Sequence, residues 1–256
     1  MLHSYKWLVV LPEVFPVNLP VEPIRVQSLK EALISRLEGL ILSGELKIGE
    51  RLPSERDFAA RLNVSRPVLH EALVDLAAKG LVEIVSRRGV FISDFRTRGS
   101  VAMLSSLLSY HNGALAPEMA QSLMDMRLVV EAETARLAAL NRVADHLAQF
   151  DALLAREASA DMSDPLALTE LDFSFHLLVA IASGNLVYPL IINSFKPVYT
   201  HLTGEFFKQV NPAVIGEVFG FHRSLAAAMR AMDSTTAVSV MQAMLKHGEQ
   251  HLKGGA

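Results

Sequence analysis

The chain has 256 residues, a formal net charge of −3, 51% hydrophobic residues, one Trp and no cysteine. That length accommodates two domains with real cores, and the lack of cysteine excludes a disulfide framework, a thiolate nucleophile and Cys-type zinc ligation, which makes the cytoplasm the simplest setting. The mild acidity excludes a uniformly basic nucleic-acid coat, but residues 21–98 hold about 13 Lys/Arg against about 11 Asp/Glu, which leaves room for a local basic footprint.

Residues 1–24 read as an N-terminal extension. Their short apolar run is interrupted by Pro12, Glu13 and Pro16, with no small-residue cleavage site after it, so a secretory signal is not expected. No later segment offers the ~18 uncharged apolar residues of a membrane span, so no membrane partner is expected. From Ser28 to Ser43, Leu29, Leu33, Leu37, Leu40 and Ile41 recur at helical spacing, and Gly44 supplies a stop. The loop "ELKIGERLPSERD" follows, where Ser54 can cap a second helix with Asp57 in a capping-box-like place. "NVS" turns the chain, and Ser65 can cap a third helix with Pro67 in its first turn and Val68, Leu69, Ala72, Leu73 and Leu76 as its buried stripe. Two short helices across a tight turn make a helix-turn-helix.

"GLVEIVSRRGVFIS" then carries two β-prone runs around Ser86, Arg87, Arg88 and Gly89, a hairpin with a basic tip. Such a wing reaches phosphates or a minor groove. "DFRTRGS" reads as a linker. From Val101 onward helical periods dominate, broken by "HNGALAP", "SADMSDP", "SGN" and "QVNPA" into about six or seven helices with no convincing strand. The expected fold is mainly α: a winged helix-turn-helix over residues 25–95, then an all-α bundle over residues 96–256.

The run "GERLPSERDFAARLNVSRPVLHEALVDLAAKGLVE" followed by "RRGVFIS" closely resembles the winged-helix reading head of the GntR family of bacterial transcription regulators. "MDMRLVVEAETARLAA", "LDFSFHLLVAIASGN" and "FHRSLAAAMRAMD" are similar to the effector-binding helical (FCD) domain of its FadR subgroup. Together these resemblances cover nearly everything after residue 25. They imply a homodimeric, ligand-responsive repressor or activator that binds operator DNA, with the preferred expectation a repressor of a catabolic operon released by a small organic or sugar acid.

Carried over position by position, the resemblance makes Arg56, Ser65 and Arg66 DNA contacts, with Arg87, Arg88 and Gly89 on the wing. Arg66 is the candidate for base readout, because a guanidinium bonds guanine O6 and N7 bidentately; Arg56 is assigned to phosphate. His70 stands one turn after Arg66 where the family usually has arginine, so either a base contact is changed there or affinity is supplied elsewhere, and no operator can be borrowed. Val90 stands where the family has a second glycine.

In the bundle, Asp172 and His176 are four residues apart and share a helical face. An isolated pair of this kind is ordinarily mutual satisfaction of two buried groups. In the resembled domain, however, these positions and His222 bind a divalent metal with a fourth ligand from the last helix; zinc suits the donor set best, and nickel or manganese fit too. Counting without a gap puts the fourth position at Met244, and His247 lies three residues on, about 4.5 Å along a helix and roughly 60° around it. Met244, His247 or water thus remain open for that corner. Arg127 matches an arginine lining the family's pocket and can hold a carboxylate effector, or simply pair with Glu131; Asn185 either faces the pocket or ends its helix beside Gly184. The same bundle also looks like the acyl-CoA-binding, metal-free version of this domain, although that version lacks the histidine pattern that includes His176. A metal-dependent hydrolase is the alternative of a different class, but it has no evident general base and leaves the winged helix unexplained.

Overall fold

The computed structural model describes residues 28–110 and 117–254. The extension at 1–24 and most of the "HNGALAP" break lie outside the described residues. Helix α1 (Leu29–Leu42) starts at a complete capping box: Glu31 N–H donates to Ser28 Oγ at 3.2 Å, and Ser28 N–H donates to Glu31 Oε2 at 2.8 Å. The helix ends before Gly44, whose φ of +78° supplies the left-handed turn. Helix α2 (Glu55–Leu62) is capped by Ser54, but its box closes differently from expectation, since Ser54 Oγ donates to Asp57 Oδ2 at 2.7 Å while accepting from Asp57 N–H. Asn63, at φ 52°, turns the chain into α3 (Arg66–Ala78), which Ser65 caps.

Strands β1 (Val82–Val85) and β2 (Gly89–Ile92) pair antiparallel, Val85 opposite Gly89. Residues 49–52, expected as plain loop, run along the other edge of β2: Leu52 N–H donates to Val90 O and Ile92 N–H to Glu50 O, both at 2.9 Å. This pairing fixes the wing to the helices. Leu37 of α1, Leu69, Leu73 and Leu76 of α3, and Leu81, Val82, Val90 and Ile92 form one buried cluster, each large side chain contributing roughly 1.5–3 kcal/mol on burial.

The expected linker is in fact ordered structure. A short turn, α4 (Phe95–Arg98), is capped by Asp94, and α5 (Met103–Tyr110) follows. Gly80 makes the closest backbone approach, because a Cβ there would lie 2.1 Å from the Arg98 carbonyl oxygen. Helix α5 serves two cores, with Met103 and Leu107 in the head cluster and Leu104 and Leu108 against Leu123 and Val198 of the bundle. A part-buried polar knot ties it to the head. Lys79, just past α3, donates to Glu38 Oε1 (2.6 Å) and to Ser106 Oγ (3.0 Å), and Ser106 also donates to Glu38 (2.7 Å).

The bundle comprises α6 (Pro117–Asn141), α7 (Ala144–Ala158), α8 (Pro165–Ala182), α9 (Tyr188–Ser194), α10 (Lys196–Gln209), α11 (Pro212–Arg230) and α12 (Ser234–Gly254). Helix α8 is long and apolar enough to cross a membrane by length and composition, but Glu170 and Asp172 interrupt it, so it is not an uncharged apolar run. Its apolar surface is instead covered by α6, α7, α9 and α10, which makes it the central helix of the bundle.

Candidate metal and DNA-contact sites

Two places gather the residues singled out from the sequence. On the head, Arg66 opens α3 and His70 follows one turn later, both exposed. His70 Nδ1 lies 3.1 Å from Glu55 Oε1, so the imidazole is oriented by α2 and offers Nε2 outward. Ser65 Oγ accepts from Val68 N–H at 3.4 Å and is therefore engaged as a helix cap. Arg56 is exposed, its side chain 84% open, and it donates Nε to Asp57 Oδ1 at 3.3 Å. At the wing tip Arg87 has φ 62°, a left-handed conformation that costs a non-glycine residue about 1 kcal/mol. Arg88 lies over the Phe91 ring at 6.0 Å. The φ of +111° at Gly89 requires glycine, and Val90 pairs normally in β2, so the hairpin forms without a second glycine. A further arginine was missed: Arg51 bridges Phe91 from the neighbouring edge, and its guanidinium packs against Gly89. Only recognition of residues 49–52 as a strand edge would have revealed it.

In the bundle, Asp172 and His176 on α8 and His222 on α11 each present one ligating atom, and these atoms lie within 4.8 Å of one another. All three residues are buried. Their supports come from three more helices, and none was read from the sequence as such. Glu131 on α6 holds His176 Nδ1. Glu157 on α7 holds His222 Nδ1 at 2.7 Å. Tyr199 on α10 donates its hydroxyl to Asp172 Oδ2 at 2.6 Å, and Phe175 stacks on the His222 ring at 4.0 Å. Carboxylates that take Nδ1 of both imidazoles leave the Nε2 atoms for a ligand, the usual way a metal-binding histidine is oriented. His222 Nε2 is buried with no hydrogen-bond partner among the described residues, Asp172 Oδ1 standing 3.5 Å away.

Charge supports the same use. The cluster buries three carboxylates, Asp172, Glu131 and Glu157, against one guanidinium, Arg127. With neutral imidazoles this leaves two negative charges, which a divalent ion would balance. Without such an ion, a proton on His222 offsets part of that charge: burial disfavours the His222 imidazolium, but Asp172 and Glu157 outweigh burial and raise its pKa to about 9. Burial likewise opposes ionised Asp172, yet His222, His176 and Tyr199 bring its carboxyl to about 2. For Glu131 burial is outweighed by Arg127 and His176, again giving about 2. The Tyr199 phenol is pushed well up by burial and by Asp172.

The remaining candidates divide. Arg127 does pair with Glu131, Nε to Oε1 at 2.5 Å, and it also lines the chamber beside Asp172 and His176 while stacking over Tyr199 at 4.5 Å. Met244 lines that chamber as well. His247 does not. The α12 register turns it toward α11, where Nε2 meets Glu217 at 2.8 Å, as the 60° offset between positions 244 and 247 implies. Asn185 does not face the chamber either; its Oδ1 accepts from Val187 and Tyr188 N–H, closing the turn after Gly184.

Comparison with known proteins agrees with this architecture. Residues 29–92 match the bacterial regulatory protein family gntR, and residues 122–247 match the FCD domain. The chain is 33% identical over 183 residues to the HTH-type transcriptional regulator Mce2R of Mycobacterium tuberculosis, covering 71% of this chain and 74% of that one. It is 32% identical over 168 residues to the Glc operon transcriptional activator of Escherichia coli, 64% of each chain. Among solved structures, that of Lar, which controls expression of the Listeria monocytogenes agr system, superposes with a TM-score of 0.58 over 90% of this chain and 99% of that one; at 17% identity this establishes the fold alone.

Proposed function

We propose that this chain, which belongs to the GntR family of DNA-binding transcription regulators and carries an FCD effector domain, is a cytoplasmic homodimer that represses a catabolic operon until a small carboxylate effector binds its metal-containing bundle. The observation that carries the metal assignment is the buried Nε2 of His222, without a hydrogen-bond partner among the described residues, within a cluster that has two excess negative charges when its imidazoles are neutral. Asp172, His176 and His222 would hold the ion, zinc by donor preference, with nickel and manganese next. The ungapped count from the resembled domain puts Met244, a thioether on the chamber wall, at the fourth-ligand position, and in this reading water or the effector completes the coordination. An ion held there supplies a Lewis-acidic anchor for a carboxylate, and Arg127 offers charge-assisted hydrogen bonds beside it.

On DNA, α3 enters the major groove, Arg66 reads a base edge, and Arg56, Arg87 and Arg88 neutralise phosphates. Helix α5 conveys effector occupancy to the head, because it packs in both cores and its Ser106 is bonded to Lys79 at the end of α3. By linkage, operator DNA must change effector affinity by the same factor as effector changes DNA affinity. The test is elemental analysis of protein purified without chelator or metal-affinity resin, followed by zinc titration of chelator-treated protein. One divalent ion per chain and a zinc-dependent rise in melting temperature are expected. A native protein free of metal that takes up none on titration overturns the metal assignment, and operator binding indifferent to every carboxylate tried overturns the effector.

A further inference from the structure

Beside the polar chamber lies a second one, and its walls differ in kind. The polar chamber encloses about 460 Å³ of atom-free space, mouth included, and presents Asp172, His176 and Met244. The neighbouring chamber encloses about 540 Å³ between α6, α9 and α10 and is walled mainly by Leu123, Met126, Ile192, Phe195, Val198 and Leu202. The space in them open to a water-sized sphere is smaller, about 50 Å³ in the polar chamber and about 40 Å³ in its neighbour, so a ligand of more than a few atoms extends through the mouths or displaces lining side chains. The two share Met124, Arg127, Tyr199 and Thr203, so the stacked Arg127–Tyr199 pair stands between them. Arg127 gives Nε to Glu131, which leaves its terminal nitrogens as the donors available at the boundary.

A ligand that uses both chambers therefore meets a cation and ligating groups at one end and hydrocarbon at the other. Hydroxyls placed among Leu123, Val198 and Leu202 would lose their hydration with few partners in return. Methylenes or an aromatic ring gain there, about fourfold in affinity for each methylene taken from water. We propose that the effector is a monocarboxylate with an apolar body, a short alkyl chain or a single ring, its carboxylate in the polar chamber beside Arg127 and its body in the apolar chamber. This deepens the carboxylate-effector reading above, on which it rests, and it disfavours polyhydroxylated sugar acids. Placement of the body also connects binding to DNA. Leu123 and Val198 of the chamber wall pack directly on Leu108, with Leu104 beside it, so an occupant bears on α5 through its own wall.

The test is calorimetric titration of zinc-loaded full-length protein with acetate, butyrate, hexanoate, phenylacetate, gluconate and hexanoyl-CoA, the last having an apolar arm but no free carboxylate. Affinity should rise about fourfold per methylene from acetate to hexanoate, phenylacetate should match or exceed butyrate, and gluconate should bind no better than acetate. Leu202→Trp, which fills the apolar chamber, should flatten the series from acetate to hexanoate; the wild-type series decides the matter even if that variant folds poorly. A flat wild-type series, or gluconate as the tightest ligand, overturns the apolar-body proposal and leaves the carboxylate reading standing. Binding by hexanoyl-CoA alone, or by no acid at all, overturns both.

Discussion

Glu131 is the group on which the bundle's polar centre depends, and Glu131→Gln tests that dependence. Its side chain is 3% exposed and accepts from Arg127 Nε while holding His176 Nδ1. Its carboxyl titrates near 2 in the folded protein against an ordinary 4.5, because Arg127 and His176 overcome the opposing effect of burial. At about 1.4 kcal/mol per pKa unit, that depression corresponds to roughly 3 kcal/mol of stability. Removing one partner of a largely buried ion pair has a similar cost, about 3–5 kcal/mol, since Arg127 Nε loses its acceptor and His176 Nδ1 its charged partner. The amide keeps the shape and removes the charge. At about 2–4 °C per kcal/mol for a domain of this size, the bundle should melt roughly 6–12 °C lower. The sign with pH follows from a depressed carboxyl: its contribution is complete above about 4.5 and is lost as pH falls toward 2. Circular-dichroism melts of wild type and Glu131→Gln in chelator should therefore show a constant gap from pH 7 to pH 5 that narrows below about 4.5. In zinc, the variant should bind the ion about 10–100-fold more weakly, because the His176 ring has lost the partner that orients it. A variant that melts within about 2 °C of wild type at pH 7 would refute the reasoning.

On the head, Arg66→Ala should cost on the order of 1–3 kcal/mol on operator DNA and relax preference at one position, whereas Arg56→Ala should weaken all sequences alike and reduce the salt slope by about 1; equal losses for Arg66→Ala on operator and random DNA in fluorescence anisotropy would remove its base-reading role. Met244→His should raise zinc affinity by at least about tenfold by adding an imidazole at the chamber wall, while His247→Ala should leave zinc content unchanged in elemental analysis, since that ring pairs with Glu217. Ser106→Ala should loosen the tie between α5 and Lys79, so that DNA and effector each still bind but their coupling measured in a linked titration falls; full retention of coupling would assign Ser106 to packing alone.

Local chemistry explains what could be read along the chain. Ser28, Ser54 and Ser65 announce three helix starts because a cap needs only its own next three residues, and Gly44 a stop because only the local backbone must turn. Asp172 and His176 were legible as a converging pair for the same reason, their i,i+4 spacing being a property of one helix. Long-range pairing was not. Residues 49–52 look like loop because the strand they accompany lies some forty positions later, and "DFRTRGS" looks like a tether because its contact with Gly80 depends on backbone approach. The supports Glu131, Glu157 and Tyr199 lie on three helices whose sequences contain nothing to single out one carboxylate or phenol over its neighbours. The choice between Met244 and His247 turned on the rotation of α12 about its own axis, which is set by how α12 packs on α6 and α11. Sequence determined which helices form and which residues share a face; tertiary packing decided which faces meet, because the free energy of burying apolar surface depends on what covers it and the sequence alone does not say.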